Sequence, residues 1–206
     1  MPYGTEIIAT VISYIFGCFA TGYYLVRFRT GQDIRSLGSG NVGARNVARS
    51  LGVPGFAITF LGDFAKGAIA VGAALYFRLE PWGVMLVILA VVAGHIWPVQ
   101  LGFQGGKGAA TAFGAVLVFD YQLIVVLIVL VGLTLALLRK FTLSGLVVII
   151  LSPVVAAVMG HPLSNILGMS ILVLLILIAH RTNIRDILRA AHHGTAEKET
   201  KQPDSG

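Results

Sequence analysis

"GKGAATAFGAVLVF", residues 106–119, is apolar for about 13 positions and closes on Asp120. As a helix rising ~1.5 Å per residue it would reach ~20 Å, short of a hydrocarbon core of ~30 Å, so by length it reads equally as re-entrant or crossing. Everything downstream changes sides with that choice. Longer apolar runs flank it: 5–26, 53–77 and 82–101 before, then 121–138, 142–159 and 163–179 after. Lys and Arg near helix ends are retained on the cytoplasmic side, so they test the parity. If 106–119 crosses, Arg27, Arg29, Arg35, Arg45, Arg49, Lys107, Arg139, Lys140, Arg181, Arg185, Arg189, Lys198 and Lys201 share one side, Arg78 stands alone on the other, and Lys66 lies inside a span. If it does not, Arg139, Lys140 and the C-terminal cluster lie opposite the first loop. The charges therefore predict an all-α integral membrane protein of about seven transmembrane helices, N-terminus outside and C-terminus cytoplasmic.

Composition agrees. Of 206 residues, 56% are hydrophobic and only 12% charged, and the mean hydropathy is +0.86, which points to lipid as the solvent. The net charge of +6 then marks cytoplasmic loops and not a nucleic-acid partner. Cys18, the single cysteine, lies in an apolar run and is expected to pack, with no disulfide framework. The flank "MPYGTE" before the first run has no Lys or Arg, so that run reads as a spanning helix and not a cleavable signal. Residues 190–206, ending "EKETKQPDSG", are too polar to offset their ordering entropy. The expected organisation is one membrane domain over 1–189 and a disordered tail over 190–206, in which His192 and His193 are idle.

Four polar patches fall on the inner face: "GSGNVGARNVAR" (38–49), "GFQGGKG" (102–108), "RKFTLS" (139–144) and "HRTN" (180–183). Gly-rich turns that open helices expose unpaired N–H groups at the positive end of the helix dipole, which suits phosphate. Gly38-x-Gly40-x-x-Gly43 is not a dinucleotide fingerprint, because no strand precedes it and Asp63 lies within an apolar span. "GGKG" is not a P-loop, since Gly108 follows Lys107 where a magnesium-binding hydroxyl belongs. Bare backbone on both sides of Lys107 favours close ligand approach over simple anchoring. His180 reads either as a cap of the last helix or as a proton-transfer group. His95 and His161 read as packing or capping residues. Asp63 and Lys66, three apart, read as a mutually neutralising ion pair or as part of a substrate or proton path.

"GSGNVGARNVAR", "GHIWPVQLGFQGGKGAAT" and "HRTN", in order and at familiar spacing, resemble the three cytoplasmic motifs of the bacterial acyl-phosphate-dependent glycerol-3-phosphate acyltransferase family, over residues 1 to about 189. The resemblance implies a seven-helix enzyme of the bacterial inner membrane that moves a fatty acyl group from acyl phosphate to glycerol 3-phosphate, the first acylation of phospholipid biosynthesis. Carried over by position, Gly38, Ser39, Gly40, Asn41, Gly43, Asn46 and Arg49 match the first motif. Gly105, Gly106, Lys107 and Gly108 match the second, and His180 and Asn183 the third. Thr142, with Ser144 nearby, aligns with a hydroxyl before the sixth helix. Arg45 stands where the family usually has Thr, Gln104 where it has Lys, and Ala179 where it often has Arg.

Two phosphorylated reactants need cations twice, so Arg49 and Lys107 are the expected phosphate grips, with Ser39, Asn41 and Asn183 as hydrogen-bond donors, while Arg45 either adds a phosphate contact or alters substrate preference. His180 is the candidate base, or it orients glycerol phosphate while a substrate phosphate takes the proton. An acylated Ser39 or Thr142 is a lesser route. The activated donor calls for no metal and no cofactor. Expected partners are acyl phosphate, glycerol 3-phosphate and the bilayer, with no nucleic acid, and the protein is expected to act as a monomer. The rival reading is a transporter of phosphate or organophosphate anions. A thioester-dependent acyltransferase is disfavoured, as none of the five His residues has Asp five positions later.

Overall fold

The computed structural model describes residues 4–189, and every regular element among them is helical. The helices are α1 (Gly4–Gly17), α2 (Thr21–Thr30), α3 (Ala44–Tyr76), α4 (Pro81–Ile96), α5 (Ala109–Phe119), α6 (Tyr121–Leu138), α7 (Phe141–Val158) and α8 (Leu163–Ala179). A ninth, α9 (Arg181–Arg189), bends 65° away from α8. The disorder expected of 190–206, with His192 and His193, lies outside the described residues.

Among the described residues, five helical stretches are long and apolar enough to cross a bilayer, and the bent α8–α9 pair, counted as one span, makes a sixth. They are Gly4–Thr30, Ala44–Tyr76, Pro81–Leu101, Tyr121–Leu138 and Phe141–Val158. The sequence expectation of about seven differs in one place. The segment at 106–119 yields an 11-residue α5, ~16 Å long, because Gly108 starts it late and Asp120 ends it early. Asp120 stops α5 by capping α6, its Oδ1 accepting from the Gln122 and Leu123 amides at 2.8 and 3.0 Å.

α4 is the central helix. It is apolar around its whole circumference and buries Val84, Val87, Ile88, Val91 and Val92, as a helix surrounded by others must. α6 is as apolar yet shows most of its surface, Leu133 and Leu137 included, as a lipid-facing helix does. Small residues set the closest crossings. A Cβ on Gly17 would strike the Val91 carbonyl and one on Gly94 the Tyr14 carbonyl, so α1 and α4 touch backbone to backbone. Gly67 and Gly114 do the same for α3 and α5, against the Thr111 and Phe64 carbonyls.

The first span is broken between α1 and α2, and three carbonyls at the break face inward. Lys66 Nζ donates to Gly17 O at 3.0 Å and Phe19 O at 2.7 Å, while Gln100 Nε2 donates to Cys18 O at 2.6 Å. An orphan carbonyl in hydrocarbon costs several kcal/mol, so these side chains are what the break requires. Asp63 Oδ1 lies 3.2 Å from Lys66 Nζ and accepts from Thr21 Oγ1 at 3.1 Å. The Asp63–Lys66 ion pair expected from spacing is present on α3, and its contacts with Thr21, Gly17 and Phe19 brace the broken helix. Cys18 is buried.

Candidate active site

The starts of α3, α5 and α7 meet the ends of α4 and α8 at one end of the bundle. Arg45 Nη1, in the first turn of α3, donates to Thr142 Oγ1 in the first turn of α7 at 3.0 Å, with its guanidinium 5.9 Å above the Phe141 ring. Lys107 Nζ, just before α5, donates to Asn183 Oδ1 in the first turn of α9. At the other end, Asp120 pairs with His161, which joins the α5–α6 corner to the α7–α8 turn at 2.9 Å. That is the partner found for a histidine expected only to pack or cap.

The 38–43 loop is built around Asn46. Its Oδ1 accepts from Ser39 N at 2.9 Å, and its Nδ2 donates to Leu37 O and Asn41 O at 2.9 Å and to Ile34 O at 3.3 Å. Gly38 and Gly40 have φ of +55° and +70°, a conformation costly for any residue with a Cβ. A side chain at Gly38 would also strike the Asn46 amide oxygen and crowd Arg49. Asn41 Oδ1 accepts from Gly43 N at 2.7 Å, and Gly43 caps α3. Asn46 is thus buried and spent on the loop, whereas Ser39, Arg45 and Arg49 are exposed at its surface.

Arg35 ties this loop to the next one. It grips Asp33 through Nε and Nη2, donates Nη1 to Leu101 O at 2.9 Å, and stacks 5.3 Å over Tyr23. The hydrogen bond from Arg35 holds the Asp33 carboxyl below its ordinary range.

The 102–108 turn is seated on the end of α4. Gly105 N donates to Ile96 O at 3.1 Å and Gly106 N to His95 O at 3.0 Å. A Cβ at Gly105 would hit the His95 carbonyl, and one at Gly106 would hit the His95 ring. Gly108 caps α5 at φ +79°. These glycines let the backbone lie flat on α4, which leaves Lys107 projecting toward α9.

Burial lowers the Lys107 pKa, as does the neighbouring Arg45 charge, against the opposing pull of Asp186. His180 caps α8. Its Nδ1 lies 2.9 Å from the Ile176 carbonyl, which assigns the proton to Nδ1 and the lone pair to Nε2. Burial pushes its pKa down, the Ile176 bond opposes, and Lys107 adds to the fall. Ser144, near Thr142, is buried and donates to Lys140 O at 3.0 Å.

The structure thus brings Lys107, Asn183, Arg45, Thr142 and His180 together, and keeps Ser39 and Asn41 in the loop before α3, with Asn46 and Arg49 in the first two turns of α3, clipped to the same end by Arg35. His95, Arg35 and Asp186 belong to this assembly and were not foreseen as such. His95 lies 11 positions before Gly106 and Arg35 66 before Leu101, distances over which sequence carries no contact signal.

Fold and site together define a helical integral membrane protein with helix N-termini, lysine and arginine gathered at one end, a setting whose electrostatics suit anions. The profile of the glycerol-3-phosphate acyltransferase family matches residues 7–190. A glycerol-3-phosphate acyltransferase 1 of Desulfitobacterium hafniense strain Y51 is 44% identical over 85% of this chain and 87% of its own length. The enzyme of that name from Parasynechococcus marenigrum strain WH8102 is 34% identical over 94% and 92%. The crystal structure of PlsY, an integral membrane glycerol 3-phosphate acyltransferase, in its glycerol 3-phosphate form superposes with a TM-score of 0.83 at 31% identity, covering 91% of this chain and 94% of that one. Its lysophosphatidic acid form gives 0.79 at 30% identity, covering 91% and 93%. The chain belongs to the glycerol-3-phosphate acyltransferase family.

Proposed function

We propose that the protein transfers a fatty acyl group from acyl phosphate to the sn-1 hydroxyl of glycerol 3-phosphate, giving lysophosphatidic acid and inorganic phosphate. The observation that carries this reading is the meeting of Lys107 with Asn183 beside Arg45 and Thr142, a cationic, amide-lined site fed by separate loops. PlsY crystallised with glycerol 3-phosphate and with lysophosphatidic acid, the matching acceptor and product, supports it.

The sn-1 oxygen attacks the acyl carbon, the bond from that carbon to the phosphate oxygen breaks, and phosphate leaves with the electron pair. The hydroxyl proton passes to His180 Nε2 or to a substrate phosphate. Because the donor is a mixed anhydride, the protein supplies orientation and charge neutralisation. Orientation is worth ~7–11 kcal/mol and a base 10²–10⁴-fold. Lys107 and Arg49 neutralise the two phosphates, Arg45 adds a contact from the α3–α7 junction, and Ser39, Asn41, Thr142 and Asn183 orient them. The glycines at 38, 40, 43, 105, 106 and 108 let backbone amides come close.

In the membrane, α1–α2, α3, α4, α5, α6, α7 and α8 make seven crossings with the N-terminus outside, and the site faces the cytoplasm across the bacterial inner membrane. One chain supplies the whole site, so the monomer is the working unit. The test offers purified protein in vesicles acyl phosphate, acyl-CoA and acyl carrier protein side by side. Lysophosphatidic acid from acyl phosphate alone is expected; product from acyl-CoA alone overturns the reading.

A further inference from the structure

We infer that His95, held by Lys66 and Asp63, is a positioning residue that seats the Gly105–Gly106–Lys107 turn, linking the buried ion pair to acyl transfer. This rests on the acyl-transfer role proposed for Lys107.

Four contacts define the linkage. Lys66 Nζ lies 2.7 Å from His95 Nδ1, and Asp63 Oδ1 lies 3.6 Å from the same nitrogen. The imidazole is buried. An ammonium only donates, so beside the Asp63 carboxylate Lys66 donates a hydrogen bond to Nδ1, and the ring's own proton stays on Nε2. That edge of the ring lies directly under Gly106, where an added Cβ would meet Nε2, Cε1 and Cδ2. The same residue's carbonyl accepts from Gly106 N–H at 3.0 Å. His95 therefore holds the turn twice, by backbone and by ring, one residue before Lys107.

The polarity of the ring distinguishes this from packing. Lys66 has other acceptors in the Gly17 and Phe19 carbonyls, so filling space beneath Gly106 would need only an apolar side chain. A ring whose rotation is fixed by Lys66 and whose edge bears on Gly106 transmits the ion pair's position to the loop. Displacing a catalytic group by ~1 Å costs on the order of 10²-fold in rate.

His95→Phe keeps volume under Gly106 and removes the acceptor for Lys66, whereas His95→Gln keeps a polar amide. Two readouts apply to purified protein in vesicles: kcat/KM with acyl phosphate and glycerol 3-phosphate, and the rate at which an amine-reactive ester labels Lys107, read by mass spectrometry with and without glycerol 3-phosphate. The expected result is a fall in kcat/KM of roughly 10²-fold for Phe, faster Lys107 labelling without protection, and substantial recovery of both with Gln. Gly106→Ala, which presses on the same ring from above, should give the Phe signature and serves if His95→Phe does not fold. A folded His95→Phe protein whose labelling and kcat/KM both stay within about twofold of the parent overturns the inference, as does equal loss in Phe and Gln. If the parent transfers no acyl group while the labelling contrast persists, positioning stands and the acyl-phosphate reading fails.

Discussion

The Lys107 ammonium donates to the Asn183 amide oxygen across 76 positions of sequence, and this contact joins the turn before α5 to the corner after α8. Lys107→Ala removes the point charge and the link together. Acyl transfer is expected to fall at least ~10³-fold while the protein inserts and purifies normally, as befits loss of a charge-assisted contact to a transition state. Asn183→Ala, which keeps the charge but frees it to wander, is expected to raise KM for glycerol 3-phosphate by roughly tenfold. Steady-state kinetics on both proteins separate the two, and near-normal activity in Lys107→Ala would remove its role.

The pH profile should be displaced at both ends. In the proposed role Lys107 must be protonated to hold phosphate, and burial with Arg45 nearby lowers its pKa, so activity is expected to be lost as pH rises through a value below that of a free lysine. His180 must be neutral to accept a proton, and its pKa is lowered chiefly by burial, so the acid limb lies below that of a free histidine. Arg45→Thr removes a like charge, which raises the Lys107 pKa and moves the alkaline limb upward. An alkaline limb that stays put in Arg45→Thr contradicts the electrostatic account.

Packing at the α3–α5 crossing is unforgiving. Gly114→Val drives a side chain into the Phe64 carbonyl, whereas Gly132 on α6 has open space around its added Cβ. The first should lose ~1–3 kcal/mol or more in denaturant titration from a detergent micelle, and Gly132→Ala little. Equal losses would mean that α5 does not lie against α3.

Breaking the buried pair tests the helix break. Lys66→Met strands Asp63 and the Gly17 and Phe19 carbonyls together, so it should cost ~3–5 kcal/mol. Asp63→Asn leaves Lys66 with those two carbonyls and should cost less. Thermal unfolding of the single and double variants gives the coupling, and strictly additive losses would show that the two residues do not act on each other.

The apolar runs were legible because lipid demands them whatever the tertiary contacts, and the clustering of basic residues showed which loops belong together. The break after Gly17 was not, since "GCFA" is as apolar as its flanks and the groups that make it tolerable, Lys66 and Gln100, come from α3 and the turn after α4. The start of α3 was hidden in a motif read as a loop, because Gly52 and Pro54 interrupt the helix where its apolar stretch begins. α9 follows a polar corner, and its short mixed sequence has no apolar run to announce a helix. In the site, the glycines and Lys107 stood out through their chemistry, and the resemblance added Asn183 and Thr142. His95 did not, because its effect depends on a ring lying under Gly106, which only folding brings about.

The proposed site requires that the loop before α3 and the 102–108 turn reach the same cytoplasmic surface. The most direct measurement places single cysteines at the exposed Ser36 and Gln104 in a Cys18→Ser background and labels them with a membrane-impermeant thiol reagent in sealed vesicles of known orientation. Both positions are expected to react only from the cytoplasmic side. Reaction of the two from opposite sides would contradict it.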